Sequence, residues 1–152
     1  MPSPTPTRGP ARTPEALNGL LADAFNRSDL DALVEIYEDD ATLVVPPDGR
    51  CVHGRGEIRA AVSPIFARQP HLTSVVLKTL RAGDLALTHA IWELVLTATD
   101  GSRMQDTGRG TIVSRRGSDG TWRVVLDDPL NPRMDRAGGA ENARHTASPT
   151  GR

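Results

Sequence analysis

Two periodicities divide the chain. Leu17, Leu20, Leu21, Ala24 and Phe25 recur at i, i+3, i+4, i+7 and i+8, and Ile58, Ala61, Val62, Ile65 and Phe66 repeat that five-point spacing. Each set forms the single apolar face of an amphipathic helix. The first helix is expected to open at Thr13-Pro14-Glu15. Thr suits the N-cap, Pro the first helical position, and Glu the positive end of the helix dipole. Asn26-Arg27 ends it. A shorter second helix is expected from Ser28, which has the capping-box spacing with Asp31, and Leu30, Leu33, Val34 and Tyr37 form its apolar stripe. The third helix follows Gly54-Arg55-Gly56-Glu57 and is closed by Pro70.

Between helices two and three, residues 41–45 read as a short strand stopped by Pro46-Pro47. From residue 72 the helical period disappears. Residues 72–82, 85–98, 103–116 and 122–128 are rich in β-branched and large apolar side chains. Gly83-Asp84, Asp100-Gly101 and residues 117–120 separate them as hairpin turns, so these strands predict an antiparallel meander. Three helices followed by a meander is an α+β layout. Strands this long twist and curl, and helices packed on the concave face leave a cone-shaped cavity.

Composition sets the limits of that domain. Hydrophobic content is 38 %, below the usual range for a compact domain, and the ends account for much of the deficit. Residues 1–12 hold four prolines and two apolar residues, and residues 133–152 hold no Leu, Ile, Val or aromatic side chain. Neither stretch can bury enough apolar surface to offset its ordering entropy. Both are therefore expected to be disordered tails around one domain of residues 13–132. Within a net charge of −1, each tail carries about +2 and the domain about −5 by count. That sign argues against nucleic acid as a partner, which calls for a basic patch. Cys51 is the only cysteine, which excludes an intrachain disulfide. Residues 1–20 lack the apolar stretch of a signal peptide, and no run approaches the ~18 apolar residues of a membrane span. A cytoplasmic protein without a membrane partner is expected. His53, His71, His89 and His145 lack metal-ligand spacing, and there is no phosphate-binding loop or nucleophile elbow, so neither metal nor cofactor is expected.

Four segments resemble a known superfamily in the same order and spacing: AFNRSDLDALVEIYEDDATLVVPP, VHGRGEIRAAV, AGDLALTHAIWEL and SDGTWRVVLDDP. Together they are similar to the nuclear transport factor 2-like superfamily, and more narrowly to its bacterial SnoaL-like, ketosteroid-isomerase-like branch, over residues 15–130. The resemblance implies an α+β cone of three N-terminal helices on a strongly curved, mostly antiparallel sheet. It does not imply one activity, because this fold hosts isomerases, cyclases, dehydratases and non-catalytic binding proteins. Ketosteroid isomerases use a carboxylate base with a tyrosine and a protonated carboxylic acid as oxyanion donors. Aligned on the N-x-x-D-L-D segment, those positions fall on Val45, Leu21 and near Thr111, none of which supplies the required group.

Other polar residues then carry the chemical expectations. With the sheet registered as in the family, alternation puts Leu87, His89, Ile91 and Glu93 on the concave face, with Arg109, Thr111 and Val113 beside them. His89 is a candidate acid or base because an imidazole titrates near neutrality. Asp127 and Asp128 are candidate proton carriers. They alternate, so only one faces inward. Arg109 offers a planar fork to a carboxylate or enolate oxygen, and Thr111 a hydroxyl. Glu93 is a second carboxylate, and Ile91 and Val113 are apolar lining. Tyr37 reads as core with its hydroxyl within reach of the cavity. His53 is expected near the cavity mouth. Trp122 reads as core and Trp92 as part of a homodimer face. Two readings follow. One is a cofactor-independent isomerase, cyclase or dehydratase that moves a proton next to a carbonyl. The other is a dimeric, non-catalytic protein that binds a small apolar or carbonyl-containing molecule.

Overall fold

A computed structural model describes residues 9–131; residues 1–8 and 132–152, and with them most of both expected tails and His145, lie outside the described residues. The chain runs α1 (Pro14–Asn26), α2 (Leu30–Glu35), β1 (Tyr37–Val45), β2 (Arg50–His53), α3 (Gly54–Phe66), β3 (His71–Ala82), β4 (Leu85–Thr97), β5 (Arg103–Arg116) and β6 (Trp122–Asp128). The six strands form one curved sheet in the order β2-β1-β6-β5-β4-β3. β3 to β6 are the expected antiparallel meander. β1 joins parallel to β6, and β2 pairs antiparallel with β1. The α+β cone expected from the sequence is the observed architecture.

The helical faces pack as their periodicity requires. Leu17, Ala24, Ile58, Val62 and Phe66 are buried, and the rings of Phe25 and Phe66 meet at 4.8 Å between centroids, joining α1 to α3. α1 lies on β3 and α3 on β1. The Asn26 side chain ties α1 to the sheet: its amide donates to the Leu72 carbonyl at 3.0 Å, and its oxygen accepts from the Leu72 N–H at 2.7 Å. The carboxamide thus imitates a strand neighbour at the start of β3.

Four local features differ from expectation. Ser28 does not cap α2. It takes φ +52 and closes α1 in the left-handed conformation that follows a helix end, and Asp29 accepts the Ala32 N–H at 3.0 Å as the N-cap of α2. Only three residues, Arg27, Ser28 and Asp29, separate the two helices, so Ser28 finishes α1 and Asp29 starts α2. Tyr37 opens β1 and is not on α2, because α2 stops at Glu35. β2 replaces what read as loop before α3; its charged and turn-like sequence hides an edge strand. Finally, the end of the expected N-terminal tail is held to the domain at Ala11 and Arg12. Ala11 is buried, its carbonyl accepts the Trp122 N–H at 2.9 Å, and Arg12 donates to the Asp119 carbonyl at 3.1 Å. A small side chain and one backbone hydrogen bond suffice to hold a segment poor in apolar residues.

The cap assignment has a measurable consequence. Asp29→Ala is expected to lower stability by about 1 kcal/mol in urea denaturation, the usual worth of an N-cap. Ser28→Gly relieves a positive φ and is expected to be neutral or slightly stabilising. The reverse order would restore Ser28 as the cap.

Candidate active site

The inner face of the sheet is set by the phase of β6. Trp122 and Val124 of that strand are buried against the helices. Strict alternation would send Leu126 and Asp128 inward as well, and Asp127 outward. β6 instead carries one extra residue against β5: Ser114 pairs with Val124, but Val113 pairs with Leu126. The bulge at Val125 inverts the faces beyond it. Leu126 turns outward, 39 % exposed, and Asp127 turns inward, 6 % exposed, between Ile112 of β5 and Leu43 of β1.

Asp127 enters a cavity of about 110 Å³ whose lining is mostly apolar, including Leu21, Phe25, Leu33, Leu43, Val62 and Ile112. The Tyr37 hydroxyl donates to Asp127 Oδ2 at 2.7 Å, and both groups are buried. Tyr37 is fixed from behind by α3: Arg55 donates to the Tyr37 carbonyl from Nε at 2.9 Å and from Nη2 at 2.7 Å. Burial pushes the Asp127 carboxyl up from 3.8 to about 6. The Tyr37 hydrogen bond works against that rise, and the Asp128 charge adds to it. Burial first, and the neighbouring Asp127 second, push the Tyr37 hydroxyl well above its ordinary range. The phenol therefore stays a hydrogen-bond donor near neutrality, while the carboxyl can exchange its proton there.

The cavity has a second polar station. The Asn18 amide of α1 donates to Ser74 Oγ of β3 at 3.0 Å, and both residues line the wall. Ser74 accepts in that bond and keeps its own hydroxyl proton to donate.

Of the residues singled out in the sequence, Asp127 and Tyr37 meet in the cavity. The others do not join them. His89, Ile91 and Glu93 of β4, and Arg109, Thr111 and Val113 of β5, lie on the outer face, because the inward positions of those strands are Ala86, Thr88, Ala90 and Trp92, and Gly110, Ile112 and Ser114. The strands alternate as expected, with the opposite phase. On the outer face His89 Nδ1 lies 3.0 Å from Thr111 Oγ1, whose hydroxyl donates to Asn131 Oδ1 at 2.8 Å. Asp128 accepts the Leu130 N–H at 3.1 Å and does not line the cavity. His53 is exposed beside Thr42, at 3.0 Å, and not at the mouth. Trp122 is buried core. Trp92, read as an interface residue, lines the cavity instead. Its partners contain the clue that was available: Gly108 and Gly110, two apart on β5, leave the space a large inward side chain needs. Among the described residues no three His, Cys, Asp or Glu side chains converge as metal ligands would.

Residues 19–125 match the family described as "SnoaL-like domain". No curated protein sequence matches the chain. Solved structures with the same fold include a ketosteroid isomerase-like protein from Erwinia carotovora atroseptica SCRI1043, with TM-score 0.66 and 22 % identity over 74 % of this chain and 88 % of that one. A conserved protein from Planctomyces limnophilus DSM 3776 gives TM-score 0.69 and 20 % identity over 76 % and 91 %. An NTF2-like protein with a cystatin-like fold from Novosphingobium aromaticivorans gives 0.65 and 18 % over 82 % of each chain. At these identities the likeness is one of fold.

The buried carboxyl makes stability depend on pH in a definite direction. Folded, Asp127 binds its proton up to about pH 6; unfolded, it releases it near 3.8. The folded chain holds the extra proton between those values, so this group's contribution to stability falls as pH rises from about 4 to about 6, by roughly 3 kcal/mol. Asp127→Asn keeps an acceptor for Tyr37 and abolishes that loss. Urea denaturation is expected to show the variant up to ~3 kcal/mol more stable than the parent at pH 8, with the gap closing by pH 4. A gap independent of pH would mean that the carboxyl is not held in an apolar site.

Proposed function

The chain belongs to the SnoaL-like domain family, and we propose that its cavity binds a small, apolar, carbonyl-containing molecule and moves a proton at the carbon beside the carbonyl. The observation that carries this reading is the Asp127 carboxyl, buried in an apolar cavity, pushed up to about 6 and held at 2.7 Å by the Tyr37 hydroxyl. A base works best when its pKa lies near the working pH. In the step, Asp127 takes the proton, the C–H electron pair forms a carbon–carbon double bond, and the carbonyl electrons move onto oxygen as an enolate. The charge leaves Asp127 for that oxygen. Tyr37 donates to Asp127 before the transfer, and as the carboxylate is neutralised its O–H is free to follow the charge within the same cavity. Return of the proton to a different carbon gives an isomer; return to the same carbon gives exchange with solvent.

Exchange is the direct test, because it needs no knowledge of the product. Short-chain ketones incubated with the protein in D2O are expected to gain deuterium beside the carbonyl, followed by NMR, at a rate that rises with pH to a plateau above about 6. Asp127→Asn is expected to lower the rate at least ~100-fold. Tyr37→Phe is expected to lower it less and to move the midpoint upward, because the lost hydrogen bond had held the carboxyl down. An unchanged rate in Asp127→Asn would leave the non-catalytic binding reading in its place.

We also propose a homodimer, and the outer sheet face supports it. Leu80, Leu87, Val113 and Leu126 stand in register across β3, β4, β5 and β6, and Val75 pairs with Ile91 beside them. Leu80, Leu126, Val75 and Ile91 are exposed, a run of apolar surface that a lone domain ordinarily keeps small. Sedimentation velocity is expected to give a dimer for the full chain and a monomer for the Ile91→Asp, Leu126→Arg double variant. A monomeric parent at micromolar concentration would rule this arrangement out.

A further inference from the structure

Trp92 stands where the cavity meets the outside. Together with Pro46 and Pro129 it lines both the 110 Å³ cavity and an adjoining surface recess of about 360 Å³. Its indole N–H donates to the Pro129 carbonyl at 2.7 Å, which joins β4 to the chain leaving β6 across the opening. The ring rests on Gly108. A Cβ at that position would come 2.5 Å from Trp92 Cζ2, closer than side chains tolerate, so the indole occupies space that only glycine leaves. A Cβ at Gly110 would press on Pro129 Cα at 3.2 Å. Two glycines on the inner face of β5 thus form the bed on which both parts of this closure lie.

The space is small: at about 110 Å³ it falls below the ~150 Å³ of an apolar cavity that accepts benzene. We propose that Trp92 is the residue that limits ligand size, and that the native ligand is an acyclic carbonyl compound with short alkyl arms, smaller than a benzene ring. The carbonyl in that statement rests on the functional reading above; the size limit rests on the cavity volume and on the indole with its glycine bed. Replacing Trp92 by a small residue joins the cavity to the recess and admits rings.

The test separates the two statements. Xenon, benzene and naphthalene serve as chemically inert probes of the full chain, with binding read by NMR titration. In parallel, deuterium exchange is measured on butanone and on a bicyclic ketone. The wild-type chain is expected to bind xenon, to bind benzene weakly or not at all, and to exchange butanone only. Trp92→Ala and Trp92→Leu, the second chosen to keep an apolar filler should the first fail to fold, are expected to bind benzene at least ten-fold more tightly than wild type and to exchange the bicyclic ketone. A wild-type chain that binds benzene as tightly as the variants overturns the size limit, and so do variants that still exclude it. A shift in probe binding with no exchange on any ketone leaves Trp92 as the size limit and removes the carbonyl chemistry.

Discussion

A single inserted residue decides what this fold contains. β6 is an interior strand, held by β5 on one side and β1 on the other, so its facing cannot be adjusted freely. The bulge at Val125 lets Trp122 and Val124 fill the narrow part of the core and still turns Asp127 inward two pairs later. Without it the same strand would bury Leu126 and present Asp127 to the outer face. The cavity would then hold no carboxyl, and Tyr37 would have a buried hydroxyl without its carboxylate partner, at a desolvation cost of about 1–3 kcal/mol. The cavity's carboxyl, its raised pKa and the Tyr37 contact all descend from that register shift.

Burying a carboxyl is unfavourable, and the surrounding structure shows how the cost is contained. Tyr37 supplies one strong donor, and the Arg55 guanidinium fixes the Tyr37 backbone without entering the cavity. Among the described residues no cation is placed against Asp127 to hold it ionised; the adjacent charge, Asp128, pushes the other way. A paired arginine would have given a stable but inert ion pair with a low pKa. A carboxyl with one phenol donor in an apolar wall remains able to gain and lose its proton near neutrality, which suits it to proton transfer.

Most of the framework was legible in the sequence, because periods are local. The stripe of α1 and the turn residues between β3, β4, β5 and β6 located those elements to within a residue or two, and the stripe of α3 located that helix but not its ends, since it already begins at Gly54 and stops at Phe66. The phase of the strands was not legible, and β4 shows why. Its inward positions are Ala86, Thr88, Ala90 and Trp92, while its outward positions are Leu87, His89, Ile91 and Glu93. A face covered by helices here carries smaller and no more apolar side chains than the face that is not. Alternation measures a period of two and carries no sign. The sign lay in a relation between strands: Gly108 and Gly110 could only be explained by a large neighbour on their own face, and Trp92 is that neighbour. The bulge at Val125 left no local mark, since Val-Val-Leu-Asp-Asp reads equally well as unbroken strand.

The segment that leaves β6 connects the two faces of the sheet. Pro129 is held from inside by the Trp92 indole, Leu130 by the Asp128 carboxylate, and Asn131 from outside by Thr111, which also lies 3.0 Å from the His89 ring. Three consecutive residues are therefore fixed, the first from the cavity side and the last from the outer side. Displacing the indole removes the inner hold on Pro129 while the outer hold on Asn131 remains. The outer chain His89-Thr111-Asn131 is thus more than surface decoration: it anchors the far end of the strap that closes the cavity. His89 and Thr111, which sequence patterning assigns to the cavity, accordingly meet it through the backbone of this strap and not through their own side chains.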